Sequence, residues 1–385
     1  MTDKPRALIV GGSLAGLFTA NLLGRAGWDV EVFERSPHDL DSRGGGIVLQ
    51  PEVVEVFRRM GIDVGAMTLG VASRYRTVFG PDGSIQSKQL APQVQTSWSL
   101  LYSTLRKGFG DARYHQGMTL AGLDQDRDAE TVTARFADGS SRTADLLVGA
   151  DGGNSAVRAL LWPDARPRYA GYVAWRGLVA ENEMPPVSRE MLHGDFGFAN
   201  NKGSHILGYL VPGAHNDMRV GHRLYNWVWY RVADEALLAE ILVDRNGRPR
   251  VSAIPEGMLA DRWRAHLDTE ADQLLPPPFG EIVRATRQPF IQTIRDLAVD
   301  QMVSGRAVIL GDAAAIPRPH TAASSSKAAA NALSLADALA STSDIDVALA
   351  RWQPAQVALG KALLRQGMQT GDHLLFGRRP LLEVG

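Results

Sequence analysis

The opening segment, ALIVGGSLAGLFTANLLGRAGWDVEVFER, leaves the chain few ways to fold. Residues 7–10 form an apolar run short enough for a buried strand, and residues 14–25 carry helical spacing. Between them Gly11 and Gly16 hold the outer positions of a G-x-G-x-x-G turn. Glu34 ends the next strand, 18 residues after Gly16. This spacing predicts a dinucleotide site, with a pyrophosphate on the helix N-terminus and a ribose hydroxyl on the acid. Gly11, Ser13, Leu14, Ala15 and Gly16 are the expected phosphate contacts. Ser13 replaces the middle glycine, and its hydroxyl is small enough to hydrogen-bond a phosphate instead.

The rest of the sequence bounds the class. A length of 385 residues suits two domains, and a net charge of −1 gives no ground for nucleic acid or an anionic membrane as partner. The absence of cysteine excludes disulfides, thiolate metal sites, iron–sulfur clusters and a cysteine nucleophile, and no metal site is expected. No apolar run approaches the ~20 residues needed to span a bilayer. A strand beginning within a few residues predicts no signal peptide, hence a cytoplasmic protein.

Along the chain, residues 51–60 read as a helix, 75–89 as a hairpin turning at 80–83, 99–109 as a short helix and 114–148 as successive strands. Residues 169–234 are strand-rich and aromatic, as in an antiparallel sheet. The prolines and glycine of 276–280 read as a loop, and helices close the chain from about 325 to 371. The predicted fold is α/β. Residues 1–75, 99–168 and 290–371 form a discontinuous Rossmann-like domain, 76–98 and 169–289 an inserted, mostly antiparallel substrate domain with helices C-terminal to it, and 372–385 a loosely ordered tail.

Three segments recur in one order: the opening segment, DLLVGADGGNSAVR at 145–158, and GRAVILGDAA at 305–314. Together they resemble the single-component FAD-dependent aromatic monooxygenases. YAGYVAWRG, NWVWYRV and GDAAAIPRPHTAASSSKA are similar to the dihydroxypyridine-hydroxylase subgroup. The resemblance implies non-covalent FAD, NADH or NADPH as co-substrate, dioxygen, a small aromatic substrate and a homodimer. Glu34 is then expected at the adenosine ribose with Arg35 beside the adenine, Gly311 and Asp312 at the ribityl chain, and Asp151 at the DG motif. Pro319 is expected near the flavin's reactive C(4a) carbon, and Ser324, Ser325 and Ser326 at the pyrimidine edge. Gln50 is a further expected cofactor contact, as is Arg43, because Trp98 stands where the family has an arginine near the phosphates. Ser324 stands where a glycine is usual.

The implied chemistry is NAD(P)H-consuming hydroxylation of an activated ring, most simply a hydroxypyridine, through a flavin C(4a)-hydroperoxide. A phenol or hydroxybenzoate substrate is the alternative, for which Arg176 is available. An FAD-binding oxidase, dehydrogenase or flavin carrier is a reading of another class. Histidine titrates near neutral pH, which makes His320, directly after Pro319, the expected proton acceptor for the substrate hydroxyl. His205 and Tyr209, four apart on one strand, share a face and are expected to line the substrate pocket.

Overall fold

The computed structural model describes residues 4–40 and 45–378. Among the described residues a six-stranded sheet runs in the order Val303–Ser304, Ala307–Ile309, Leu146–Gly149, Arg6–Val10, Asp29–Glu34 and Tyr114–Gln116. Every pair is parallel except the first. Leu146, Leu147 and Val148 are fully buried, as strands covered on both faces require. The helices Leu14–Arg25 and Ser324–Ala340 pack against each other over this core through residues such as Leu17, Phe18, Ala329 and Ala332. Chain order reverses between Arg6–Val10 and Leu146–Gly149, so a crevice opens at the carboxyl ends of these strands.

A second, ten-stranded sheet has the path Ala253–Ile254, Phe290–Ala298, Arg168–Ala180, Leu224–Val232, Ser204–Val211, Phe196–Asn201, Val71–Phe79, Ile85–Ser97 and Gly46–Val48, with Ala315–Ile316 paired to Phe290–Ala298. Its pairs are antiparallel except Phe196–Asn201 against Val71–Phe79. Strand alternation splits the aromatic run of Leu224–Val232. Trp227 and Trp229 enter a core with Leu267, Phe279 and Ile282, while Val228 and Tyr230 point to the opposite face. The two indoles donate to Thr286 and Ser204 hydroxyls at 2.8 and 2.7 Å.

The two sheets interleave along the chain. Gly46–Val48 and Phe290–Ala298 hydrogen-bond into the second sheet, although their neighbours in sequence lead into the first. Two expectations fail locally. The proline-rich 276–280 segment is no loop. Pro277 and Pro278 open the helix Pro277–Ala285, where a missing N–H costs no intrahelical bond. The tail does not begin at 372. The helix Ile345–Phe376 continues past it, with Leu375 buried.

Arg318 explains that continuation. Its guanidinium, buried between helix and sheet, donates through Nε and Nη2 to both oxygens of Asp296 at 2.9 and 2.8 Å, and through Nη1 to Asp372 at 2.7 Å. Removing one partner of a buried ion pair costs about 3–5 kcal/mol because the remaining charges lose their counterion. Arg318→Met should lower the urea-unfolding free energy by about that amount. A change under about 1 kcal/mol would show that the cluster contributes no net stability.

Candidate functional site

Three loops leave the carboxyl edge of the parallel sheet side by side. The first is the glycine turn. Gly11 has φ of +107°, and a side chain there would stand 2.5 Å from the carbonyl oxygen of Ala150. Only glycine satisfies both conditions. A side chain at Gly16 would likewise fall on the carbonyl of Gly11. The buried carboxylate of Glu34 braces the turn by accepting from the backbone amides of Gly12 and Ser36, both at 2.8 Å. Each oxygen keeps a second lone pair for a ligand hydroxyl. From the other side the Tyr114 hydroxyl donates to the Gly12 carbonyl at 2.9 Å.

The second loop begins at Asp151, whose carboxylate accepts from the Ser155 hydroxyl and from the amides of Ala156 and Val157, at 2.6 and 3.2 Å for the amides. Burial nevertheless pushes its carboxyl up from the usual range. The third loop holds Gly311 and Asp312. Arg158, buried, ties the two together by donating to the carbonyls of Gly153, Ala165 and Ala313 at 2.8, 2.9 and 2.9 Å. Asp312 accepts from Lys327 Nζ at 2.9 Å and from the Ser324 hydroxyl at 3.3 Å.

These loops wall a cavity of about 540 Å³. Gly11, Ser13, Leu14, Ala15, Glu34, Arg35, Asp151, Asp312, Ser324 and Ser325 line it, so the structure gathers residues up to 314 positions apart. Trp98 is also in the wall, stacked on Tyr102 with ring centroids 4.8 Å apart. An aromatic face thus stands where the resembled family has an arginine, as the sequence indicated. Gly16, Gly311, Ser326 and Gln50 lie outside the lining. Gly16 and Gly311 sit behind the wall, Gly311 donating its amide to Asn331 at 3.1 Å. The Ser326 hydroxyl is turned back to the Ala323 carbonyl at 3.1 Å, and Gln50 precedes the helix Pro51–Arg59. Arg43 lies outside the described residues.

A second cavity of about 400 Å³ adjoins the first and shares Gly46, Ile47, Arg176, Gln292, Asp312, Ser324 and Ser325 with it. The remaining wall joins apolar Phe196, Leu207, Val228, Ile294, Ile316 and Pro319 to Tyr209, Tyr230, Ser252, Thr293 and Arg295. Arg176 stands at the junction. Its Nη1 donates to Gln292 at 3.0 Å, and a side chain at Gly45 would fall on its Nη2. Gly45 therefore packs directly on this guanidinium. Burial pushes the Tyr209 hydroxyl up to about 12, against the lowering field of Arg176, so it is a donor at neutral pH.

The two histidines are placed differently from their expected roles. His205 is buried beside the second cavity rather than in its lining, stacked on Tyr230 and hydrogen-bonded through Nδ1 to Asn200. His320 turns away from Pro319 toward the last helix. Its Nε2 meets the Tyr172 hydroxyl at 2.9 Å, its ring lies 4.6 Å from that of Tyr230, and it lines neither cavity. Burial lowers His205 to about 4. Burial, then His205 and Arg318, lowers His320 to about 3. A neutral, weakly basic imidazole behind the wall does not meet the requirements for abstracting a substrate proton.

Arg158, Tyr114 and Lys327 support the site but carried no assigned role in the sequence reading. Arg158 was legible as the last residue of DGGNSAVR. Tyr114 had no sequence signal, because only the packing of Tyr114–Gln116 beside Asp29–Glu34 brings it to the glycine turn. Among the described residues no cluster of His, Cys, Asp and Glu fits a metal ion, and no helix is long and apolar enough to cross a membrane.

The histidines predict a pH effect. Unfolded imidazoles titrate near 6.5, above both folded values. The unfolded chain then binds more protons between these limits. Stability from burying neutral imidazoles is fully present above about 6.5 and is lost as pH falls toward about 4 and about 3. Each histidine contributes a slope of about 1.4 kcal/mol per pH unit in that window. Urea unfolding of His320→Asn between pH 7 and 5 should show a shallower loss than the parent chain. Equal slopes would mean that His320 is already protonated when folded.

Comparison with known proteins agrees with this geometry. A family model described as FAD binding domain matches residues 4–230, and one described as FAD binding domain-like matches 169–296. The chain is 34% identical over 373 residues to 2,6-dihydroxypyridine 3-monooxygenase of Paenarthrobacter nicotinovorans, covering 97% of this chain and 92% of the relative. It is 30% identical over 362 residues to aurachin C monooxygenase/isomerase of Stigmatella aurantiaca, covering 91% and 84%. The solved structure of 2,6-dihydroxypyridine-3-hydroxylase from Arthrobacter nicotinovorans matches with a TM-score of 0.91 at 33% identity, over 99% of this chain and 96% of the other. Klebsiella pneumoniae HpxO, solved with FAD and uric acid, shares the fold at a TM-score of 0.79 and 23% identity, over 96% and 89%. By sequence and by structure, this chain belongs to the FAD-binding-domain family of FAD-dependent aromatic monooxygenases.

Proposed function

We propose that this enzyme hydroxylates a small hydroxylated N-heteroaromatic ring, most simply a hydroxypyridine, with NAD(P)H and dioxygen as co-substrates. The observation that carries the reading is Arg176, a permanent cation at the junction of a cofactor-sized cavity and a smaller one beside it.

The larger cavity fits FAD. The amides at the start of Leu14–Arg25 and Ser324–Ala340 have no intrahelical acceptors, Glu34 retains lone pairs, and Gly11 and Gly16 let the turn pack tightly on Ala150 and on itself. In this reading Ser13, Leu14 and Ala15 hold the pyrophosphate, Glu34 and Arg35 the adenosine, Asp312 the ribityl chain, and Ser324 and Ser325 the pyrimidine edge. Bound there, FAD supplies the redox chemistry, accepting hydride from NAD(P)H and activating dioxygen. The chain's own part is to bind, orient and exclude water.

Arg176 and the Tyr209 hydroxyl then face the substrate. A cation and a donor stabilise a ring oxygen as its anion, and that anion makes the ring electron-rich. The activation expected from a histidine base is thus assigned to electrostatic stabilisation of the deprotonated substrate. Pro319 and Ile316 present an apolar wall on the other side. The name of the relative from Paenarthrobacter, a dihydroxypyridine monooxygenase, supports the substrate class. A hydroxybenzoate is the second reading, favoured by the same arginine, whose forked donors match a carboxylate. On the family resemblance alone, the proposal extends to a homodimer acting in the cytoplasm.

The purified protein should be yellow, and Asp312→Ala should weaken FAD at least tenfold, from loss of charge-assisted bonds of roughly 1.5–3 kcal/mol. Fluorescence titration of apoprotein checks this, and unchanged affinity removes Asp312 from the ribityl contact. Hydroxypyridines and hydroxybenzoates are then compared for stimulated NAD(P)H oxidation with hydroxylated product and peroxide quantified together. Stimulation by hydroxypyridines with little peroxide is the expected result, and tight coupling by hydroxybenzoates alone selects the second reading. Arg176→Met should raise KM or depress coupling about 10–100-fold, leaving FAD affinity within a few-fold.

A further inference from the structure

Lys327 is among the few charged side chains withdrawn from water, with 2% of its surface exposed. It stands in the first turn of Ser324–Ala340, where the helix dipole disfavours a cation. Its ammonium donates to Asp312 Oδ1 at 2.9 Å and to the Ala315 carbonyl. Ser324, Ser325, Ala328 and Asp312 lie in the cavity wall and Lys327 directly behind them. Asp312 does not balance the charge of this corner. Arg295 lines the second cavity with it, where burial lowers the arginine's affinity for its proton and Asp312 opposes that effect, and Arg176 stands in the same wall. Two guanidiniums and one carboxylate, half-buried, thus line the second cavity, with one ammonium and the positive end of a helix behind the carboxylate. Such an excess of positive potential favours an anion more than a neutral group in the same place.

We propose that Lys327 is a positioning residue that holds Asp312 toward the cavity and, by its buried charge, stabilises the reduced, anionic flavin relative to the oxidised one. The inference rests on FAD occupying the larger cavity, which the apoprotein titration tests separately. Lys327 is a cation by design of the site rather than a packing residue. A methylene chain ending in a neutral group would fill the same space at less cost in desolvation.

The test is the midpoint potential of bound flavin, measured by dye-coupled reduction in the intact holoenzyme. Lys327→Met and Lys327→Gln should each weaken reduced FAD about tenfold more than oxidised FAD, which lowers a two-electron midpoint by about 30 mV. The glutamine keeps a donor for Asp312 and Ala315 while removing the charge. Lys327→Arg keeps the charge and should return the potential to that of the parent chain. A glutamine variant that binds FAD at the parent potential overturns the proposal and leaves Lys327 a structural hydrogen-bond donor. Loss of oxidised FAD from both folded neutral variants also overturns it, because the effect would not be selective for the reduced form. If neither neutral variant folds, Asp312→Asn reads the same field from the other partner. Its midpoint must rise, and an unchanged or lower value refutes the charge argument.

Discussion

The site depends on the bonds that Arg158 makes to three carbonyls. Parallel strands deliver the glycine turn, the Asp151 loop and the Asp312 loop to one sheet edge, but nothing in a strand holds its outgoing loop against the next. Arg158 does so by joining Gly153 to Ala313 from within the core. The arrangement is tight, as the contact of Gly11 with Ala150 shows. Burial lowers the arginine's affinity for its proton, with Asp151 opposing that effect. The three carbonyl acceptors stand in for the water lost on burial, as a buried charge requires.

With the loops held together, the division of labour between the two sheets follows. The parallel sheet supplies backbone amides and fixed carboxylates, which suit the repeated, charged parts of a dinucleotide. The antiparallel sheet supplies one broad face whose alternate residues are apolar, which suits a small flat ring. Arg176 belongs to the second sheet and Asp312 to a loop of the first, yet both walls are shared by the two cavities. In the proposed reading the substrate meets the cofactor where the two sheets adjoin. Gly45 and Gly46 close that seam, because a side chain at either would fall on Arg176 or Tyr209.

His320 illustrates how a motif can mislead about chemistry. Its place after Pro319 and its ordinary titration near neutrality both suggested a base. Chain proximity does not determine direction. The short turn Pro319–Thr321 points the proline into the cavity and the imidazole toward Tyr172 and the last helix. Burial there removes the basicity that made histidine attractive. The loop expected at 276–280 failed for a related reason, since prolines stop a helix in its interior but open one at its first turn.

The sequence by itself determined the nucleotide half of the molecule. Strand, glycine turn, helix and acid are local in the chain, and their physics needs only a few consecutive residues: φ > 0 at Gly11, free amides at a helix start, an acid at a strand end. The alternating pattern of the second sheet was legible for the same reason, whereas the Asp312 loop was legible only through the resemblance of its motif. Tertiary structure alone decided what depends on residues far apart meeting in space. It set Arg176 beside Gln292, Tyr114 under Gly12, Lys327 behind Asp312 and Arg318 across to Asp372, and it turned His320 from the cavity. Each of these contacts spans from 15 to 116 residues of chain. No local periodicity encodes them, because they follow from which helix faces and strand edges pack, and packing is settled only when the whole core closes.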